Sequence, residues 1–255
     1  EKQLVYYELD LGLNHVVRKW ADAVDPSANL LVAVPGGDDG PGGVLVCSEN
    51  FVVYRAPGHD ERRCALPRRR DAPAEHGLLI VASAVHRQRQ LFFVLLQSEA
   101  GDLYKVSFEH AKGAVSEMRV SYLDTVPTCA ALAILRTGFL FCASEAAAHG
   151  FYQFQSLGDD ESAPHTTSRA YEANSLAVVN LVPRPFANLL LVDELDSMAP
   201  LVDSKLLQLG ARGAPPSLVA LCGRSSRSSL RIVSHGLAVT ELAISELPGS
   251  PSAVW

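Results

Sequence analysis

The sequence predicts an all-β chain made of WD40-like β-propeller blades. Three observations lead there. Hydrophobic and polar residues alternate at a period of two, the turn formers Pro, Gly, Asn and Asp recur about every ten residues, and a paired-strand unit repeats. Composition agrees: of 255 residues 48% are hydrophobic, 20% charged and 7% aromatic, with a mean hydropathy of +0.12. That profile excludes a disordered, collagenous or coiled-coil chain and supplies the apolar side chains of a buried core.

The first predicted strand carries Val5, Tyr7, Leu9 and Leu11 on one face and Tyr6, Glu8 and Asp10 on the other. Such alternation marks a half-buried strand. Leu30 to Val34 and Val44 to Cys47 are unbroken apolar runs, which suit strands covered on both faces. The glycine-rich stretch Pro35 to Gly43 between them lacks the Gly-Lys-Ser/Thr ending of a phosphate loop, carries Asp38 and Asp39, and precedes a strand instead of a helix. It reads as a strand-connecting turn. Leu78 to Ala82, Leu91 to Leu96 and Phe139 to Ala143 are further covered strands, whereas Tyr104, Val106 and Phe108, and then Met118, Val120 and Tyr122, alternate again.

Within this order Val44 to Tyr54, Val94 to Tyr104 and Phe139 to Tyr152 share one plan: an apolar run, Ser-Glu, a turn and a second apolar strand. The serines at 48, 98 and 144 are 50 and 46 residues apart. A unit recurring at about 40–50 residues is the mark of propeller blades, which bury their faces by stacking on one another. After Glu145 the rhythm falters. Residues 158–164 are acidic and turn-rich, and 162–175 read as a solvated loop. Val182 to Pro200, bracketed by prolines, reads as a crossing between two units with a boundary near 196. Leu201 to Leu209 suits a helix or a strand. Ser217 to Cys222, Ser229 to Val233, Leu237 to Thr240 and Ala243 to Leu247 form a fresh meander. The expected domains are 1–195 and 196–255.

Charge and motifs narrow the function. The net charge of −6 opposes a general grip on nucleic acid, which needs a basic surface. The longest apolar run, Cys129 to Leu135, is far too short to span a bilayer. The first residues lack a secretory signal, and the missing initial Met and the stop at Trp255 point to a piece of a longer chain. The five cysteines form an odd set with no Cys-x-x-Cys pair, and no Asn-x-Ser/Thr acceptor occurs. Free thiols in a reducing, intracellular compartment are expected.

No nucleophile elbow is present, and the eight histidines are scattered with none at metal-ligand spacing. No catalytic residue, metal ligand or cofactor is therefore expected. Carboxylates cluster at Asp159-Asp160-Glu161 and Asp193-Glu194-Asp196. Paired acids serve propeller glycosidases, so a propeller hydrolase is one alternative, but consecutive acids on polar loops read as solvated surface. Five arginines fall within nine residues (Arg62, Arg63, Arg68, Arg69, Arg70), and Arg224, Arg227 and Arg231 lie around a Ser-rich turn. Guanidinium forks pair with carboxylates of a protein partner. Base-stacking aromatics are not interleaved with them. Arg68, Arg69, Arg70, Arg224 and Arg227 are the candidate protein contacts, the alternatives being a plain solvated loop or a nucleic-acid contact.

Leu9-Asp10-Leu11-Gly12-Leu13-Asn14-His15-Val16-Val17-Arg18-Lys19, Leu66-Pro67-Arg68-Arg69-Arg70, Tyr122-Leu123-Asp124-Thr125-Val126-Pro127 and Leu191-Val192-Asp193-Glu194-Leu195-Asp196-Ser197 resemble the splicing-factor-3b branch of a family of three-propeller proteins. Its other branches serve damaged-DNA binding and cleavage and polyadenylation. Val34-Pro35-Gly36-Gly37, Thr137 to Phe141, Leu157 to Asp160 and Ser245 to Gly249 extend the resemblance nearly end to end. It implies the later blades of a first propeller and the opening strands of a second. It also implies a nuclear, non-enzymatic scaffold of the U2 snRNP, free of membrane and cofactor. Such a scaffold holds a helical-repeat subunit and a small subunit while the branch site is selected, and associates with snRNA and pre-mRNA indirectly. The alternative within the fold is an adaptor of a ubiquitin ligase or a polyadenylation complex. The Ala-rich loop Glu145 to His149 and residues 163–180 and 203–216 depart from the family pattern, so no contact is carried over there. A chain lacking the remaining blades cannot close a ring and is expected to aggregate when expressed alone.

Overall fold

The computed structural model describes residues 1–73, 75–88, 91–111, 113–158, 160–209, 215–224, 228–236, 242 and 249. The chain divides into two compact units, Glu1–Ala199 and Pro200–Trp255. The described residues are overwhelmingly strand, with one short α-helix, so the fold is all-β.

The first unit opens with a hairpin of β1 (Lys2–Asp10) and β2 (His15–Val24). At its tip the Asp10 carboxylate accepts the backbone N–H groups of Gly12 and Leu13, and Asn14 takes a positive φ of 48°, a conformation Asn tolerates. Sheet I follows as an antiparallel meander of β3 (Leu30–Ala33), β4 (Val44–Ser48), β5 (Phe51–Arg55) and β6 (Arg62–Ala65). The glycine-rich stretch joins β3 to β4 through a short 3-10 turn at Gly37–Asp39, as a strand connection should. Gly43 there has φ +89°, and a Cβ on it would lie 2.5 Å from the Arg55 carbonyl oxygen, so no larger residue fits.

After the two-residue β7 (Arg68–Arg69), sheet II is built from β8 (Ile80–Gln88), β9 (Leu91–Ser98), β10 (Asp102–Ala111) and β11 (Ala114–Thr125). Sheet III begins with β12 (Cys129–Leu135), β13 (Phe139–Ser144) and β14 (His149–Phe154). The chain then turns back. β15 (His165–Thr167) adds to the outer edge of sheet II beside β11, helix α1 (Ser168–Ala173) packs near β6 and β11, and β16 (Asn180–Leu181) pairs in parallel with β7.

The expected solvated loop at 162–175 is thus corrected. Ala163 is 2% exposed and Ser168 is fully buried, because Thr166 Oγ1 donates to the Ala65 carbonyl and Ser168 Oγ accepts the Met118 N–H at 3.1 Å. The stretch 182–200 holds more than a crossing. β17 (Leu189–Leu195) pairs with β14 as the fourth strand of sheet III.

In the second unit β18 (Leu201–Leu207), β19 (Ser217–Cys222) and β20 (Ser229–Val233) form a three-stranded antiparallel meander. The ambiguity over 201–209 resolves to a strand. The strands expected at 237–240 and 243–247 lie outside the described residues.

Stacking of successive sheets creates the core. Between sheets I and II lie Leu45, Val52, Tyr54, Ile80, Val94, Leu96, Tyr104 and Val106. Between sheets II and III lie Leu95, Leu103, Leu123, Leu132, Leu140 and Tyr152, while Leu4 of the hairpin meets Val46 and Val53 on the other face of sheet I. Strands β4 and β9 are therefore covered on both faces, the physical origin of their unbroken apolar runs. Each fully buried side chain of this size contributes about 1.5–3 kcal/mol. The buried tyrosines keep their hydroxyls satisfied, Tyr54 on the Gly42 carbonyl at 2.9 Å and Tyr104 on that of Pro67 at 2.8 Å. The repeated serines occupy one position in all three sheets: Ser48, Ser98 and Ser144 end β4, β9 and β13, and all are buried.

Candidate protein-interaction surface

The arginine run lies on β6, β7 and the turns around them, and its members have different tasks. Arg63 pairs with Glu61 at 2.7 Å, and Arg62 with Glu172 of α1 at 3.0 Å. Arg68 donates through Nη2 to the carbonyls of Pro73 and His76, which holds the following loop against β7.

Arg69 turns inward. Its Nε and Nη2 grip the two oxygens of Asp102 at 2.7 and 2.9 Å, and Nη2 also reaches the Ala100 carbonyl at 2.8 Å. Asp102 is fully buried and accepts a third bond from Thr125 Oγ1 at 2.6 Å. The bidentate pair holds the Arg69 proton more tightly than in a free guanidinium. Arg69 is thereby a pin between β7 and sheet II. Arg70 is exposed. A cleft of about 290 Å³ beside the run is lined by Arg68, Pro73, His76, Leu78 and Glu99 among others, an apolar floor with a guanidinium at its rim. In the second unit Arg224 is exposed, and Arg227 lies outside the described residues.

The acid clusters face outward. Asp193 and Glu194 lie exposed on β17, Asp196 follows it, and Asp160 and Glu161 are exposed on their turn; Asp159 is outside the described residues. Among the described residues no group of three or more His, Cys, Asp and Glu side chains converges. None of the described helices is long and apolar enough to cross a membrane. All five cysteines are free and buried, with burial pushing the Cys47 thiol up to about 12 and the Cys64 thiol up to about 11.

Sequence reasoning missed the polar latches between sheets. Asp124, fully buried, accepts the backbone N–H groups of Ala187, Asn188 and Leu189 at 3.0, 2.8 and 2.8 Å, which fixes the entry into β17. Gln97 donates to the Pro127 carbonyl at 3.0 Å and accepts the Cys129 N–H at 2.9 Å, tying β9 to the start of β12. One signal was available for Asp124. It continues the inward-facing series Met118, Val120 and Tyr122, where a carboxylate needs donors.

Against known proteins, the model of the family described as the RSE1/DDB1/CPSF1 first beta-propeller matches residues 1–196. The whole chain is 50% identical over 256 residues to spliceosome-associated protein 130 A of Arabidopsis thaliana and 49% identical over 260 residues to splicing factor 3B subunit 3 of Drosophila melanogaster. It is 47% identical over 271 residues to pre-mRNA-splicing factor RSE1 of Mycosarcoma maydis. These alignments cover 21%, 21% and 22% of the respective relatives, so the chain spans about a fifth of the length of the curated relatives it matches.

Proposed function

Because the chain belongs to the family of RSE1, DDB1 and CPSF1 first β-propellers, we propose that it serves as part of a non-enzymatic scaffold of the splicing factor 3b complex in the U2 snRNP. The observation that carries this reading is identity of 49–50% along the entire chain to proteins named for splicing factor 3B subunit 3 and for association with the spliceosome. Stacked blades present edges and loops as binding surfaces. The acids sit exposed on an outer strand instead of facing a shared pocket, which favours a scaffold over a hydrolase.

In this reading residues 1–195 are blades of a first propeller and 196–255 open a second. The place of work is the nucleus, where the scaffold supports branch-site recognition by holding a helical-repeat subunit and a small subunit. Contact with snRNA and pre-mRNA is indirect. Arg68 and Arg70, and in the second unit Arg224 and Arg227, offer guanidinium groups to acidic partner surfaces, while Arg69 acts by keeping β7 in place.

Affinity purification of the longer protein from nuclear extract tests the proposal. Splicing factor 3b subunits should co-purify, and Arg68→Glu with Arg70→Glu should weaken their recovery more at low than at high salt. Recovery of ubiquitin-ligase or polyadenylation subunits in their place would reject the splicing assignment. Unchanged assembly in the double variant would return the arginines to ordinary surface.

A further inference from the structure

The face of β10 and β11 that looks toward sheet III changes character along its length. At one end Leu103 and Leu123 are buried with Leu95 and Leu140. Beyond them three cross-strand pairs are polar: Lys105 opposite Ser121, Ser107 opposite Arg119, and Glu109 opposite Glu117. With Gly158 and Thr167 these residues enclose a cleft of about 300 Å³. It is a walled space, for Lys105 is only 9% exposed and the Glu117 side chain 17%.

Inside it, Arg119 Nε donates to Ser121 Oγ at 3.2 Å, whereas Arg119 Nη2 is buried and has no acceptor among the described residues. A guanidinium N–H in that position calls for an oxygen. The Ser107, Ser121 and Thr167 hydroxyls are rotatable donors around the same space, and the Lys105 ammonium lies 5.9 Å from the Phe93 ring centre. The two outer carboxylates are met by a further cation. Arg169 stands 3.9 Å from Glu109 and 3.5 Å from Glu117 and offsets part of their charge.

We propose that this cleft seats one oxyanion of phosphate size, carried on a side chain of a protein partner. The volume is ample for one such group together with the side chain that bears it. Exposed Glu109, with Asp160 and Glu161 just beyond Gly158 in the chain, repels a polyanionic backbone but tolerates a single anion on an otherwise neutral or basic segment. The seat is separate from the arginine run and stands independently of the splicing assignment.

Thermal unfolding of the full chain, held dilute, in sodium phosphate against sodium chloride of equal ionic strength provides the test. The midpoint is expected to rise with phosphate, turning logarithmic in concentration once the millimolar range is passed. Arg119→Met should abolish the rise, and Arg136→Met, at an exposed position outside the cleft, should retain it. Should Arg119→Met fail to fold, Ser107→Ala is expected to weaken the apparent phosphate affinity several-fold. A phosphoserine peptide is expected to bind more tightly than inorganic phosphate, and its unphosphorylated form not at all. Absence of a midpoint shift at tens of millimolar phosphate, an equal shift in Arg119→Met, or tighter binding of a single-stranded RNA oligonucleotide than of the phosphopeptide would overturn the proposal.

Discussion

Asp102 illustrates how one buried charge organises its surroundings. With both oxygens on Arg69 and a further bond from Thr125, it is a carboxylate held without solvent. Removing its partner strands that charge, so Arg69→Met is expected to destabilise the first unit by about 3 kcal/mol, the lower end for a broken buried pair because the Arg69 side chain is 25% exposed. Asp102→Asn should cost less, since the guanidinium can then turn toward water. Urea unfolding of the two variants checks the order, and equal losses would mean that the pair is no anchor. The buried thiols give a pH signature of definite sign. An unfolded thiol loses its proton near 9, while Cys47 keeps it to about 12 and Cys64 to about 11 when folded. The folded state therefore binds more protons above pH 9, and stability, fully present below that pH, falls as pH rises toward 11. Each thiol contributes a slope of about 1.4 kcal/mol per pH unit in that window. Cys47→Ser with Cys64→Ser should flatten the pH dependence of the urea midpoint there, and an unchanged slope would contradict the burial argument.

Among the elements, the returning segment of β15, α1 and β16 binds sheets I and II together. Thr166 and Ser168 reach Ala65 and Met118, and Thr167 Oγ1 caps α1 by accepting the Ala170 N–H at 3.2 Å. Thr167→Ala should cost about 1 kcal/mol, read as faster hydrogen exchange in residues 166–173 with little change in sheet III; uniform acceleration across all three sheets would contradict a local role. This segment also marks the limit of what the residues disclosed. The meanders were legible because β4 and β9 must be apolar on both faces, and the Ser-Glu ends of β4, β9 and β13 recur at regular intervals. Residues 165–181 gave no such signal, since a three-residue strand and a six-residue helix are too short for a period, and their burial rests on hydroxyl-to-backbone bonds with residues about 50 to 100 positions away. The arginine run was legible as a cluster but not in its division of labour. Nothing near Arg69 in the chain announces that Asp102 will meet it.

For the molecule as a whole, each unit leaves apolar strand surface uncovered. In the first, Leu11 is 82% and Leu13 77% exposed at the hairpin tip, with Trp20 at 40% and Leu190 on β17 at 52%. In the second, Leu206 and Leu230 are 69% and 67% exposed. Exposed apolar strands recruit other chains. The 255-residue chain alone is accordingly expected to self-associate, with an apparent mass by light scattering that rises with concentration. A monodisperse monomer over a wide concentration range would show that these surfaces need no cover.

The parallel pairing of β7 with β16 joins Arg68 to Asn180 and Arg69 to Leu181, positions separated by more than a hundred residues of intervening sheet. During synthesis from the N-terminus, at about 5–20 residues per second, the earlier strand must wait on the order of 5–20 s for its mate to leave the ribosome. Until then β7 is held by the Arg69 grip on Asp102 and Ala100 and by the Tyr104 hydroxyl on the neighbouring Pro67 carbonyl. The clasp therefore closes only after the strands of sheets II and III have emerged, and in that interval the unpaired edge of β7 is open to other chains.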